Sequence, residues 1–163
     1  MTIAEITERM IAYSEGNQKD ISHFLKVWAY AKTIGELEQL GEETQFLLEA
    51  EAVIHDIACP LCRKKYGNTN GMNQEKESAP LVYAFLQDTD IRDEQKERIA
   101  YVVSHHHTYE GVDGIDWQIL LEADFLVNAE ENGYPKETVR TFRDTVAVTD
   151  AAKRILNSVY CLN

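Results

Sequence analysis

Three observations predict an all-α protein. Apolar residues recur every three or four positions along most of the chain, and the segments they define are punctuated by Gly, Pro, Asn and Asp. No stretch shows the alternation of a half-buried strand. The expectation is about seven or eight helices in one compact multi-helix bundle spanning residues 1–163, with no internal repeat or linker. With 163 residues, 44% hydrophobic and 27% charged, the chain is long enough to enclose a sizeable core as one soluble domain.

The first helix follows from Ile3, Ile6, Met10 and Tyr13, which trace one face to about residue 14 before "EGN" interrupts. A second opens near Asn17, whose side chain can cap free amides with Asp20 three residues on, and runs to about Leu40, with Gly41 after its end. "EETQFLLEAEAVIHDIA" begins with acids that suit a helix N-terminus and is apolar nearly all round, as a helix surrounded by others must be. Pro60 is expected to stop it. Residues 62–73, "CRKKYGNTNGMN", read as a surface loop. Helices follow at about 74–86 and 92–107, and "EGVDG" breaks the second. Asp116 is expected to cap a helix through "WQILLEADFLVNAEEN", ended by Gly133; Pro135 begins another over "PKETVRTFRDTV", and a last one covers about 149–158.

The formal net charge of -12, from 16 basic and 28 acidic residues, argues against DNA, RNA or an anionic membrane as partner and favours a small substrate. "MTIAEITERM" lacks a basic stretch followed by an apolar one, and no run approaches the roughly 18 apolar residues of a spanning helix, so the cytoplasm is the expected location. Cys59, Cys62 and Cys161 have no framework spacing and suit reduced thiols. "CPLC" formally reads C-x-x-C, yet it has neither the strand-helix context of a redox pair nor the second ligand pair of a zinc knuckle.

Several polar groups sit where apolar ones belong. His23 shares a stripe with Val27, Tyr30, Ile34 and Leu37, Asp124 with Leu120 and Val127, and His106 continues Ile99, Val102 and Val103. His55 and Asp56 interrupt the run of Val53, Ile54 and Ile57. Taken singly, each has a plain reading: a satisfied core histidine, a carboxylate paired with Lys or Arg, a solvated helix end. Together they place imidazoles and carboxylates inward from several helices, which is costly unless partnered and is what a divalent transition metal ion requires. Neighbours on a helix diverge by about 100 degrees, so His55 and Asp56 reach one ion only if it lies over the edge between them.

The order His23, His55-Asp56, the histidines near 106, and Asp124 within "LLEADFLVN" resembles the H…HD…D signature of the HD domain, the superfamily of metal-dependent phosphohydrolases, over about residues 17–130. The resemblance implies an all-helical metalloenzyme fold in which His23, His55, Asp56 and Asp124 hold a divalent ion (Mn, Fe, Co, Ni or Zn), one or two per chain. Binuclear branches add two histidines between the HD pair and the last Asp. Here the second is His106 or His105; for the first, either a glutamate such as Glu77 (Glu75 is its neighbour) replaces it or the site is mononuclear. Some HD nucleotidases carry a glutamate three residues after the motif Asp, where this chain has Cys59, so the general acid or base is unassigned. "NGYP" at 132–135 follows Asp124, whereas the GYP of the cyclic di-GMP phosphodiesterases follows soon after the histidine pair.

The expected activity is hydrolysis of a small phosphorylated molecule, above all a nucleotide, by a metal-activated water. Asp56 would ligate the ion and orient the water, and His105 or His106 would contact phosphate or protonate the leaving group. Lys26, Arg63, Lys64 and Lys65 are the candidate phosphate-binding cations. The rival expectations are a di-iron oxygenase of HD fold and a non-catalytic metal- or metabolite-binding module.

Overall fold

The computed structural model of the chain describes residues 1–162. Among them run nine α-helices and no strand: α1 (Ile3–Tyr13), α2 (Gln18–Leu37), α3 (Glu42–Ile54), α4 (Cys59–Tyr66), α5 (Gly71–Leu86), α6 (Asp93–Val103), α7 (Ile115–Glu131), α8 (Lys136–Thr145) and α9 (Asp150–Tyr160). The fold is all-α, as the periodicity predicts. None of the nine is long and apolar enough to cross a membrane.

Local chemistry sets the starts. Thr2 accepts from the Glu5 amide while the Glu5 carboxylate accepts from the Thr2 amide at 2.7 Å, a reciprocal cap on α1. Asn17 accepts from the Asp20 amide to open α2, and Thr149 accepts from the Ala152 amide to open α9. Each such cap satisfies one of the amides that a helix start leaves without a partner.

Helix α7 forms the axis. Every residue from Asp116 to Val127 is buried, because α2, α3 and α9 pack around it. Helix α6 lies on α3, α5 on α6, α4 on α5, and α1 on α3, with Tyr13 of α1 reaching Phe85 of α5. One apolar cluster contains Val27, Ala123 and Val102; the other contains Phe24, Ile54 and Val103. The helix neighbours of His23, Asp124, His55 and His106 therefore divide between two clusters, which puts those polar groups on the seam.

The structure revises several boundaries. Residues 59–66, expected partly as loop, form α4. Pro60 occupies its first turn, where a missing N–H costs nothing, so it starts a helix instead of ending one. Arg63, Lys64 and Lys65 fall in its last turn, complementing the helix dipole, and Gly67 closes it at φ 70°, a left-handed conformation that glycine adopts freely. Helix α5 starts earlier than expected, at Gly71, leaving only 67–70 irregular.

Helix α2 stops at Leu37, and Gly41 is the residue before α3 instead of the terminator of α2. Helix α6 stops at Val103, short of the histidines. Gly114, not Asp116, precedes α7; Asp116 lies in its first turn and accepts from Arg98 Nε at 2.8 Å and Nη2 at 2.6 Å.

Candidate metal centre

His23 comes from the second turn of α2 and Asp124 from the middle of α7, while His55 and Asp56 lie just past the end of α3. There the backbone tightens: Ile57 N–H donates to Ile54 O at 2.8 Å and Cys59 N–H to Asp56 O at 2.9 Å, both three-residue bonds. This is what lets two neighbouring side chains face one point.

His23 Nε2 stands 3.2 Å from His55 Nε2, 3.2 Å from Asp124 Oδ1 and 3.5 Å from Asp56 Oδ2. His55 Nε2 stands 3.6 Å from Asp56 Oδ2 and 3.5 Å from Asp124 Oδ1. Ligand atoms about 2.1 Å from one ion at tetrahedral angles lie about 3.4 Å apart, so these separations match donors arranged around a shared cation.

The tautomers agree. Nδ1 of His23 meets Glu131 Oε2 at 2.8 Å, Nδ1 of His55 meets Ala52 O at 2.8 Å, and Nδ1 of His106 meets Val103 O at 2.7 Å. Carbonyl and carboxylate oxygens only accept, so each Nδ1 carries a proton and each ring aims its Nε2 inward. His106 Nε2 is buried without a hydrogen-bond partner, 3.7 Å from Asp56 Oδ1. A buried ring nitrogen with no hydrogen-bond partner is free to serve as a metal ligand.

A second group shares Asp56: donor atoms of Asp56, His106 and His107 all lie within 4.8 Å of one another. Gly71 makes room for it, since a Cβ there would fall 2.7 Å from the His107 ring.

Electrostatics point the same way. Burial opposes a charge on His23, yet Asp124, Asp56 and Glu131 overrule it and push its value up to about 9. Burial would raise Asp56 too, but His55, His23 and His106 hold it well below the usual carboxylate range; Asp124 is lowered by His23 and His55 against the same burial. Asp124, which is buried, and Asp56, which is half-buried, are thus kept ionised by the imidazoles around them, a task a divalent cation performs directly.

An HD domain family model matches residues 20–140, a span that includes every residue of this centre. The chain belongs to the HD domain superfamily of metal-dependent phosphohydrolases. Comparisons with curated proteins and with solved structures each found no match. The nitrogen and oxygen donors fit the divalent metals that HD domains hold, with no thiolate needed.

In this HD domain the centre forms the floor of a cavity of about 610 Å³. Of the cations singled out from sequence, Arg63 lines it, ion-paired to Asp20. Lys26 does not; it is held by Glu130 at 2.8 Å and Glu131 at 2.7 Å. Lys65 is held by Glu77 at 2.7 Å, and Glu77 also accepts from the Tyr66 hydroxyl at 2.5 Å, so neither faces the centre. Lys64 is exposed and outside the cavity wall. His105 lies outside the centre, its ring against Tyr101 and Trp117 and its Nδ1 donating to Tyr101 O at 2.7 Å.

Among the residues lining the HD cavity, His107, Lys19 and Glu131 are charged or ligand-type groups that the sequence does not single out for the site. Glu75, by contrast, has a supporting part, accepting from the His107 amide and the Thr108 hydroxyl to fix the turn that presents His107. Cys59 lines the cavity, but burial and then Asp56 push its thiol upward, so it stays protonated; it and the buried Cys62 are free thiols.

Proposed function

We propose that this HD domain hydrolyses a phosphate ester or anhydride bond of a small phosphorylated molecule, above all a nucleotide, in the cavity over His23, His55, Asp56 and Asp124. The observation that carries the reading is the convergence of imidazole Nε2 atoms, each ring locked through Nδ1, on two ionised carboxylates, with His106 Nε2 orphaned beside them.

A divalent ion held there supplies Lewis acidity, making water more acidic and polarising a phosphoryl oxygen. The residues do the rest. Asp56 turns Oδ2 toward His23 and His55, leaving Oδ1 beside His106 to orient the attacking water and accept its proton. The second donor group of Asp56, His106 and His107 would hold a further ion beside the first, with Asp56 common to both groups. Arg63 and Lys19 line the wall where phosphate charge needs a counterpart. The net charge of -12 supports a small-molecule partner over a nucleic-acid polymer or a membrane surface, and a cytoplasmic setting fits that partner.

Phosphate release from a panel of nucleotides and other phosphorylated metabolites, with protein loaded in turn with Mn, Fe, Co, Ni and Zn, tests the reading. Turnover that is lost in Asp56→Ala is the expected result. No release with any metal and substrate would contradict it, and a bound iron pair without hydrolysis would favour oxygen chemistry instead.

A further inference from the structure

The cavity is poor in free positive charge. Asp20, Asp56, Asp124 and Glu131 line it against only two cations, Lys19 and Arg63. Arg63 is already paired with Asp20 on the same wall, whereas Lys19 makes no ion pair among the described residues. The other nearby lysines, Lys26 and Lys65, are held outside by Glu130, Glu131 and Glu77. With Asp20 offset by Arg63 and Glu131 by Lys26, Asp56 and Asp124 stand against Lys19 alone; one divalent ion leaves this wall with an excess of about one positive charge and two with about three, enough for one phosphate dianion but short of the roughly four negative charges of a triphosphate. A chain of net charge -12 adds to the penalty for a polyanion.

We infer that the cavity selects phosphate monoesters, molecules with a single phosphoryl group on an alcohol oxygen, over the corresponding di- and triphosphates, and that Lys19 is the cation that recognises the phosphate. This rests on the hydrolytic reading above. In the reaction the oxygen of water bonds to phosphorus, the ester P–O bond breaks, and the departing alcohol oxygen takes up the proton that water released, giving alcohol and inorganic phosphate.

The test uses the metal-loaded protein with the 5′-mono-, di- and triphosphate of one nucleoside and with a sugar monophosphate. The expected result is a kcat/KM for the nucleoside or the sugar monophosphate roughly tenfold or more above that for the triphosphate, with Lys19→Met raising KM for the monophosphate by a similar factor and Lys64→Met leaving it unchanged. Equal or faster turnover of the triphosphate, or a Lys19→Met variant indistinguishable from wild type, overturns the inference. Should nothing turn over, the hydrolytic reading fails and calorimetry still decides selectivity: tighter binding of the monophosphate upholds it, and tighter binding of the triphosphate overturns it.

Discussion

Glu131 Oε2 and His23 Nδ1 lie 2.8 Å apart, joining the end of α7 to the start of α2 through a charged hydrogen bond. His55 and His106 make the matching bond to neutral backbone carbonyls, so His23 alone has a carboxylate behind it. That carboxylate fixes the ring and strengthens its inward nitrogen as a ligand. Glu131→Ala should weaken metal binding by roughly 10- to 100-fold, with Glu131→Gln intermediate because it keeps an acceptor without the charge. Metal affinity by chelator competition checks this, and NMR of the His23 ring nitrogens reports the tautomer directly. Wild-type affinity in Glu131→Ala would remove the role.

Glu51 is fully buried on α3, and neither of its oxygens has a partner. Burial, reinforced by Asp116 and opposed by Arg98, raises its value well above the ordinary 4.5. The folded chain therefore keeps a proton on Glu51 at pH values where the unfolded chain has released it, and stability falls as pH rises above about 4.5 until the folded value is passed. Glu51→Gln is neutral at every pH and should gain stability relative to wild type across that same window. Urea unfolding of both proteins at a series of pH values reads the difference; parallel pH profiles would contradict it.

Asp116 is 4% exposed and depends on the two-pronged grip of Arg98, which also reaches Asp113 at 2.8 Å. Arg98→Met strands a buried carboxylate near Glu51, and it should cost about 3 kcal/mol or more in chemical denaturation. Asp116→Asn, which leaves the more exposed Arg98 free to turn to Asp113, should cost less. A loss in Arg98→Met no larger than that of a surface substitution would show the pair to be dispensable.

On the proposed function, removing metal should destabilise the fold, because a cation among His23, His55, Asp56 and Asp124 would offset the two carboxylate charges. A strong chelator is expected to lower Tm by several degrees in wild type and to have no effect on Asp124→Asn. An unchanged wild-type Tm would mean that the cluster balances itself with protons.

What could be read in the sequence divides along physical lines. His23 and Asp124 lie on long uninterrupted helices, where a 3.6-residue period carries register faithfully, so their inward direction was legible. The triple histidine was not, because α6 ends at Val103 and a turn replaces the helical period; helix logic then weighs His105 against His106 and overlooks His107. Lys26 and Lys65 looked available because the acids that hold them lie 104 and 12 residues away in sequence and meet them only in the fold. Glu131 did leave a trace: it lies seven residues, two helical turns, beyond Asp124, on the same stripe. Pro60 reads as a terminator from sequence alone, although proline is equally at home in a first turn.

The most direct measurement is X-ray absorption together with elemental analysis of purified protein, wild type beside Asp124→Asn. The account predicts at least one divalent transition ion per chain, bound by nitrogen and oxygen at about 2.0–2.2 Å and depleted in the variant. A wild-type protein that holds none of Mn, Fe, Co, Ni or Zn, or that binds its ion through sulfur, would contradict it.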